Sequence, residues 1–182
     1  MFQVALFIHI LSAMGIFVGL ALEWRMIDRL RSARSTEQAN AALEAFHLLP
    51  RIGAPSTVLV LLSGLYLTWV DDAWGQGWPG VAVGALVLLG ALGAASGLGR
   101  EKFVRILLRD GGVPGPMWPR VVGRRFRPPL MGRVTMALGV LFLMIDQPGL
   151  AGSLVLGGVV CTAGLAGLII ARPHRMPASP RE

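Results

Sequence analysis

Five apolar runs, with basic residues confined to alternate gaps between them, decide what this chain can fold into. Run 2–22 is broken only by Gln3, His9 and Ser12, and run 80–99 only by Ser96. Run 52–70 carries five hydroxyl residues, and run 150–171 carries Ser153 and Thr162. At 1.5 Å per residue, each is long enough as a helix to cross ~30 Å of hydrocarbon. Run 134–145 is shorter. To span, its helix must begin near Pro129 and take in Arg133, whose guanidinium is then expected to snorkel back to the headgroups. A re-entrant segment is the alternative. The Asp146-Gln147-Pro148-Gly149 turn that follows predicts an antiparallel hairpin of the last two helices. With 54% hydrophobic and 15% charged residues in 182, the chain is too apolar for a soluble globule of its size and too poor in charge for disorder.

The expected fold is all-α, a polytopic transmembrane helical bundle in a single domain over 1–172. Its five spans are about 2–22, 52–70, 80–99, 129–146 and 150–171. Segments 23–51 and 100–128 lie between spans, and 173–182 forms a disordered tail. All seventeen basic residues fall at 23–51, 100–133 or in the tail, whereas loops 71–79 and 146–149 hold none and contribute three acids. The positive-inside rule then puts the N-terminus outside and the C-terminus in the cytoplasm. Trp69, Trp74 and Trp78 cluster at the outer end, as an interfacial aromatic belt does. The N-terminus has no basic region before its apolar run, so it reads as a retained first helix and not as a signal peptide.

Residues 24–34 continue the first helix beyond the apolar run. Ser35-Thr36-Glu37-Gln38 matches a capping box opening a second helix over 36–49. Pro50 and Pro55 then kink or restart the chain. The third spanning helix runs on to Asp110, where Gly111-Gly112 stops it. Segment 111–129, rich in Gly, Pro and Arg, is expected to be an irregular loop against anionic headgroups. Its Arg124-Arg125-Phe126-Arg127 resembles a nucleic-acid-binding patch, but topology alone accounts for the charge, so no nucleic-acid partner is expected.

His9 is the most informative residue, because an ionisable group inside a span usually faces the bundle or a cavity. At 100° per residue it shares a face with Ser12, Ala13, Ile16, Gly19 and Glu23, opposite Phe7, Met14 and Val18. It is either a haem or metal ligand or a proton relay, or else a packed histidine bonded to a neighbour. Met144 lies near the same level and offers a thioether. His47 reads as an interfacial residue too far from His9 to share one iron, and nothing is assigned to His174. Glu23 is expected to pair with an Arg of a neighbouring segment. Gly15-x-x-x-Gly19, Gly93-x-x-x-Gly97, Ala163-x-x-x-Gly167 and Ser153-x-x-x-Gly157 give close-approach faces within the bundle or, more weakly, between copies. Cys161 alone permits no internal disulfide. No zincin motif, phosphate loop, nucleophile elbow or Cys/His cluster is present.

The sequence FIHILSAMGIFVGLALEW at 7–24, the basic stretch after it, Leu49-Pro50 and Ser63-Gly64-Leu65-Tyr66 resemble one family. It is the bacterial integral membrane proteins of unknown function in the copper-resistance-D-like group, distant relatives of the haem-J-type membrane protoporphyrinogen oxidases. The resemblance covers about the first hundred residues. It implies a multi-pass protein of a bacterial inner membrane, with the early histidine, here His9, associated with haem b or copper. The oxidase pattern is not met, because 80–99 holds neither Lys nor His. The Met- and His-rich outer segments of a copper importer are absent too. The expected function is therefore a scaffold or accessory bundle without catalysis of its own, in contact with the bilayer and its anionic headgroups and with a membrane partner or a second copy. A haem- or metal-binding protein with His9 as ligand is the alternative. A small transporter ranks third, because no internal repeat or polar midplane marks one.

Overall fold

The computed structural model describes residues 1–46, 49–109 and 116–170. Among them every regular element is helical: α1 (Phe2–Ser32), α2 (Thr36–Ala45), α3 (Leu49–Val70), α4 (Trp78–Arg109), α5 (Trp118–Asp146) and α6 (Leu150–Ile170). One 3-10 turn, Ala73–Gln76, joins α3 to α4. All of these but the short α2 and the turn are long and apolar enough to cross a membrane. The chain is thus a multi-pass helical bundle by length and composition. At 31 residues α1 is ~46 Å long, so it outreaches the hydrocarbon and carries its arginines beyond it.

Helix α5 is the centre of the bundle and packs on α1, α4 and α6. Helix α3 leans on α1 from outside, and α3 and α4 touch each other only lightly despite their short connection. The turns at 71–77 and 147–149 close one end, here called the acidic-loop end. The helix ends that carry the arginines lie at the other, the basic end. The faces turned away from the core are apolar: Phe7 is 65% exposed, Leu62 60% and Val155 69%. A continuous apolar exterior of this extent fits lipid and not water.

Helix α1 buries Ser12, Ile16, Leu20, Glu23, Ile27 and Leu30 and leaves Phe7, Met14 and Val18 outside, which is the face expected from its periodicity. Ser35 caps α2 by accepting from Gln38 N–H at 3.2 Å. The reciprocal arm is shifted by one residue, since Gln38 Oε1 accepts from Arg34 N–H at 2.9 Å. Helix α2 stops at Ala45 and α3 restarts at Leu49, with Pro50 in its first turn. His47, the Gly111-Gly112 stop, His174 and the tail lie outside the described residues.

The largest correction concerns α5. An irregular loop was expected over 111–129, yet 118–129 is helical and continuous with the span. Trp118, Val122, Phe126 and Leu130 follow each other at four-residue steps and are all buried. The burial of two aromatic and two aliphatic side chains, at ~1.5–3 kcal/mol for a well-buried large one, outweighs the cost of Pro128 and Pro129 inside the helix. Trp118 also anchors the start, its indole N–H donating to Leu30 O at 2.7 Å. At the far end Gln147 takes a left-handed φ of 44° and turns the chain into α6.

Small residues let α5 and α6 touch backbone to backbone. A Cβ on Gly132 would lie 2.9 Å from Ala163 O, and one on Gly167 would run into Pro128 O. On the α1–α3 contact, Gly15 makes room for Ser56, and Gly19 faces Gly53. Gly93 faces the Arg133 guanidinium. Gly97, expected on a packing face, meets open space instead, because α4 has turned that side away from its neighbours.

Candidate functional site

The hydroxyl residues scattered through the spans are mostly spoken for. Thr57, Thr68, Ser96, Ser153 and Thr162 each donate to a carbonyl three to five residues earlier. Two polar centres remain, one toward each end of the bundle.

Toward the acidic-loop end, His9 on α1 reaches Ser63 on α3, with Nδ1 3.1 Å from the Ser63 oxygen. Ser63 has one hydroxyl proton, and the carbonyl of Leu59 at 2.5 Å takes it. The serine oxygen can then only accept, so Nδ1 carries the ring proton and donates. Nε2 is left with the lone pair. Gly64 is what admits the ring: a Cβ there would sit 3.0 Å from the His9 Cε1 carbon. A donor Nδ1–H fixed by a neighbouring oxygen is how a histidine is oriented when its other nitrogen serves as a ligand.

His9 opens on a cavity of ≈ 230 Å³ in the gap where α3 and α4 splay apart. Its walls are mainly apolar, with Met144 of α5 on one side and Thr68, Asp71 and Gln147 toward the acidic-loop end. Sequence spacing put His9 and Met144 at a similar level, and the structure brings both to this one cavity. Ser63, the residue that sets the tautomer, was quoted in the Ser63-Gly64-Leu65-Tyr66 motif but given no role there.

At the other centre, the Glu23 carboxylate holds two guanidiniums, those of Arg100 on α4 and Arg133 on α5. All three side chains are less than a tenth exposed. The expectation for Glu23 holds, with two partners in place of one. That for Arg133 does not. It turns inward to Glu23, whose buried carboxylate calls for a cation, and Gly93 leaves the room. Arg100, counted in the sequence only as a topogenic charge, lies over the rings of Phe46 at 4.6 Å and Phe126 at 5.6 Å. The cluster keeps one positive charge in excess, and the Nε–H groups of Arg100 and Arg133 find no acceptor among the described residues. Phe126 packs edge-on against Phe103 at 5.9 Å and is buried, so the arginine-rich tetrad does not display its ring.

No family model, curated protein or solved structure matches this chain. Among the described residues no group of three or more His, Cys, Asp or Glu is placed to hold a metal ion. A site here must be built from fewer or softer donors.

The His9 cavity, at ≈ 230 Å³, is small for a porphyrin. Pockets that enclose drug-sized ligands run to ~300–1,000 Å³, and a porphyrin belongs toward the upper end of that range. A single ion or small molecule does fit.

Proposed function

We propose that this chain is a multi-pass membrane protein that holds a small ligand in the His9 cavity, and that the ligand its donors favour is a copper(I) ion. The observation that carries the reading is that His9 and Met144, from α1 and α5, both line one small cavity. A neutral imidazole nitrogen with a thioether suits a soft monovalent ion, and low coordination asks for no carboxylate cluster. The resemblance of 7–24 to the copper-resistance-D-like group agrees with it. With the basic end in the cytoplasm, as the arginine distribution implies, the cavity faces the outside. Catalysis is not part of the proposal.

The test is an anaerobic copper(I) titration of the full chain in mild detergent, against a chromophoric chelator. Cys161 is first replaced by Ser, since a thiol binds the same ion. One equivalent is expected, lost in His9→Ala and weakened at least tenfold in Met144→Leu. No uptake, or uptake that His9→Ala leaves unchanged, returns the bundle to a scaffold with a packed histidine.

A further inference from the structure

The basic end carries a second cavity, unrelated to His9. It is an open cleft of ≈ 750 Å³ between the C-terminal turns of α1 and the start of α5. Arg25, Arg29, Arg31 and Arg127 line it, with Asp28 as the one acid. Arg127 donates to Asp28 at 2.9 Å and Arg31 donates to the same oxygen at 3.2 Å. Asp28 is thereby shared, and the Arg25 and Arg29 guanidiniums have no acid to answer them among the described residues. The Arg31 Nε–H also donates to Pro119 O at 3.3 Å, which ties the two walls together. The Arg127 guanidinium lies 5.2 Å over the Trp24 ring, and its Nε–H is buried without an acceptor among the described residues.

Four guanidiniums against one carboxylate leave three positive charges around one concavity. Planar guanidinium forks match the oxygens of a phosphate, and two of these four are already fixed by hydrogen bonds. The cleft begins at the point where the apolar run of α1 ends, with Trp24 beside it, so it lies at the level of lipid headgroups. We infer that this cleft is a binding site for the phosphate-bearing headgroup of an anionic phospholipid.

The probe is phosphatidylglycerol, followed by native mass spectrometry of the full chain in detergent, with phosphatidylcholine and inorganic phosphate in parallel. Phosphatidylglycerol should be retained over phosphatidylcholine, and millimolar phosphate should not displace it. The double variant Arg25→Gln/Arg29→Gln changes only exposed side chains. It should bind phosphatidylglycerol ~10- to 30-fold more weakly, as the loss of two surface arginines implies. Arg34→Gln/Arg51→Gln removes equal charge from the same end outside the cleft and should change binding less than threefold. Equal weakening by both doubles would mean general surface attraction and would overturn the site. Displacement by inorganic phosphate would overturn the lipid as its occupant. Circular dichroism and gel filtration check that each variant keeps its fold.

Discussion

Glu23 answers two arginines with one carboxylate, and this makes its loss different from theirs. Removing the acid leaves two buried cations facing each other, whereas removing Arg133 leaves the neutral pair Glu23–Arg100. Breaking a buried ion pair from one side costs about 3–5 kcal/mol, while exchanging a charge for a well-packed apolar group is often neutral or better. Glu23→Gln should therefore lower the thermal midpoint of the detergent-solubilised protein sharply. Arg133→Met should lower it little or raise it, because it also removes the unanswered Nε–H. Equal midpoints for Glu23→Gln and the parent would show that the cluster contributes nothing. The acid's need for a cation was legible in the sequence, since an acid at the end of a span rarely stands alone. Its partners were not: Arg100 lies 77 residues away and looks like any other topogenic arginine. A charge count says which side a segment lies on, but not which arginine leaves that surface for the core.

The same limit appears at the level of elements. The spans were read from hydropathy: runs 2–22, 52–70 and 80–99 lie inside α1, α3 and α4, with α1 running on to Ser32 and α4 to Arg109, and run 150–171 coincides with α6 over its described residues. Helix α5 was legible only in part. Its first turns bury Trp118, Val122, Phe126 and Leu130 at helical spacing, but the arginines, glycine and prolines between them mask the pattern. What holds these turns is tertiary contact, including the close approach of α6 at Gly132 and Gly167, and local propensity does not report it. That approach makes a prediction. Gly132→Ala and Gly167→Ala place a methyl group against the backbone of the opposite helix, which cannot swing aside. Each should destabilise the bundle by about 1–3 kcal/mol, the usual cost of overpacking. Gly97→Ala, facing open space in mid-helix, should be neutral or slightly stabilising. Thermal melts of the three variants check the order. A Gly97 variant as damaging as the other two would place an unseen partner, such as a second copy, on that face of α4.

For the molecule as a whole, the distribution of charge and the position of the two cavities lead to one statement about direction. The acidic-loop end has Trp69, Trp74 and Trp78, no basic residue in its turns, and the His9 cavity. The basic end has the arginine cleft. If the basic end lies in the cytoplasm, a ligand of His9 enters from outside, while the cleft meets the inner leaflet. Cysteine labelling in intact cells tests this with two half-buried turn positions at opposite ends of the fold. In a Cys161→Ser background, Gly77→Cys should react with a membrane-impermeant maleimide, and Ser35→Cys should react only after permeabilisation. Gly77 has a φ of 79° and a Cβ there would crowd Leu150, so Gly75→Cys, which has open space, is the better-tolerated second probe of the same loop. Labelling of Ser35→Cys but of neither loop position would invert the protein. The His9 cavity would then open to the cytoplasm, and a ligand drawn from outside the cell would be excluded while the cavity itself stood unchanged.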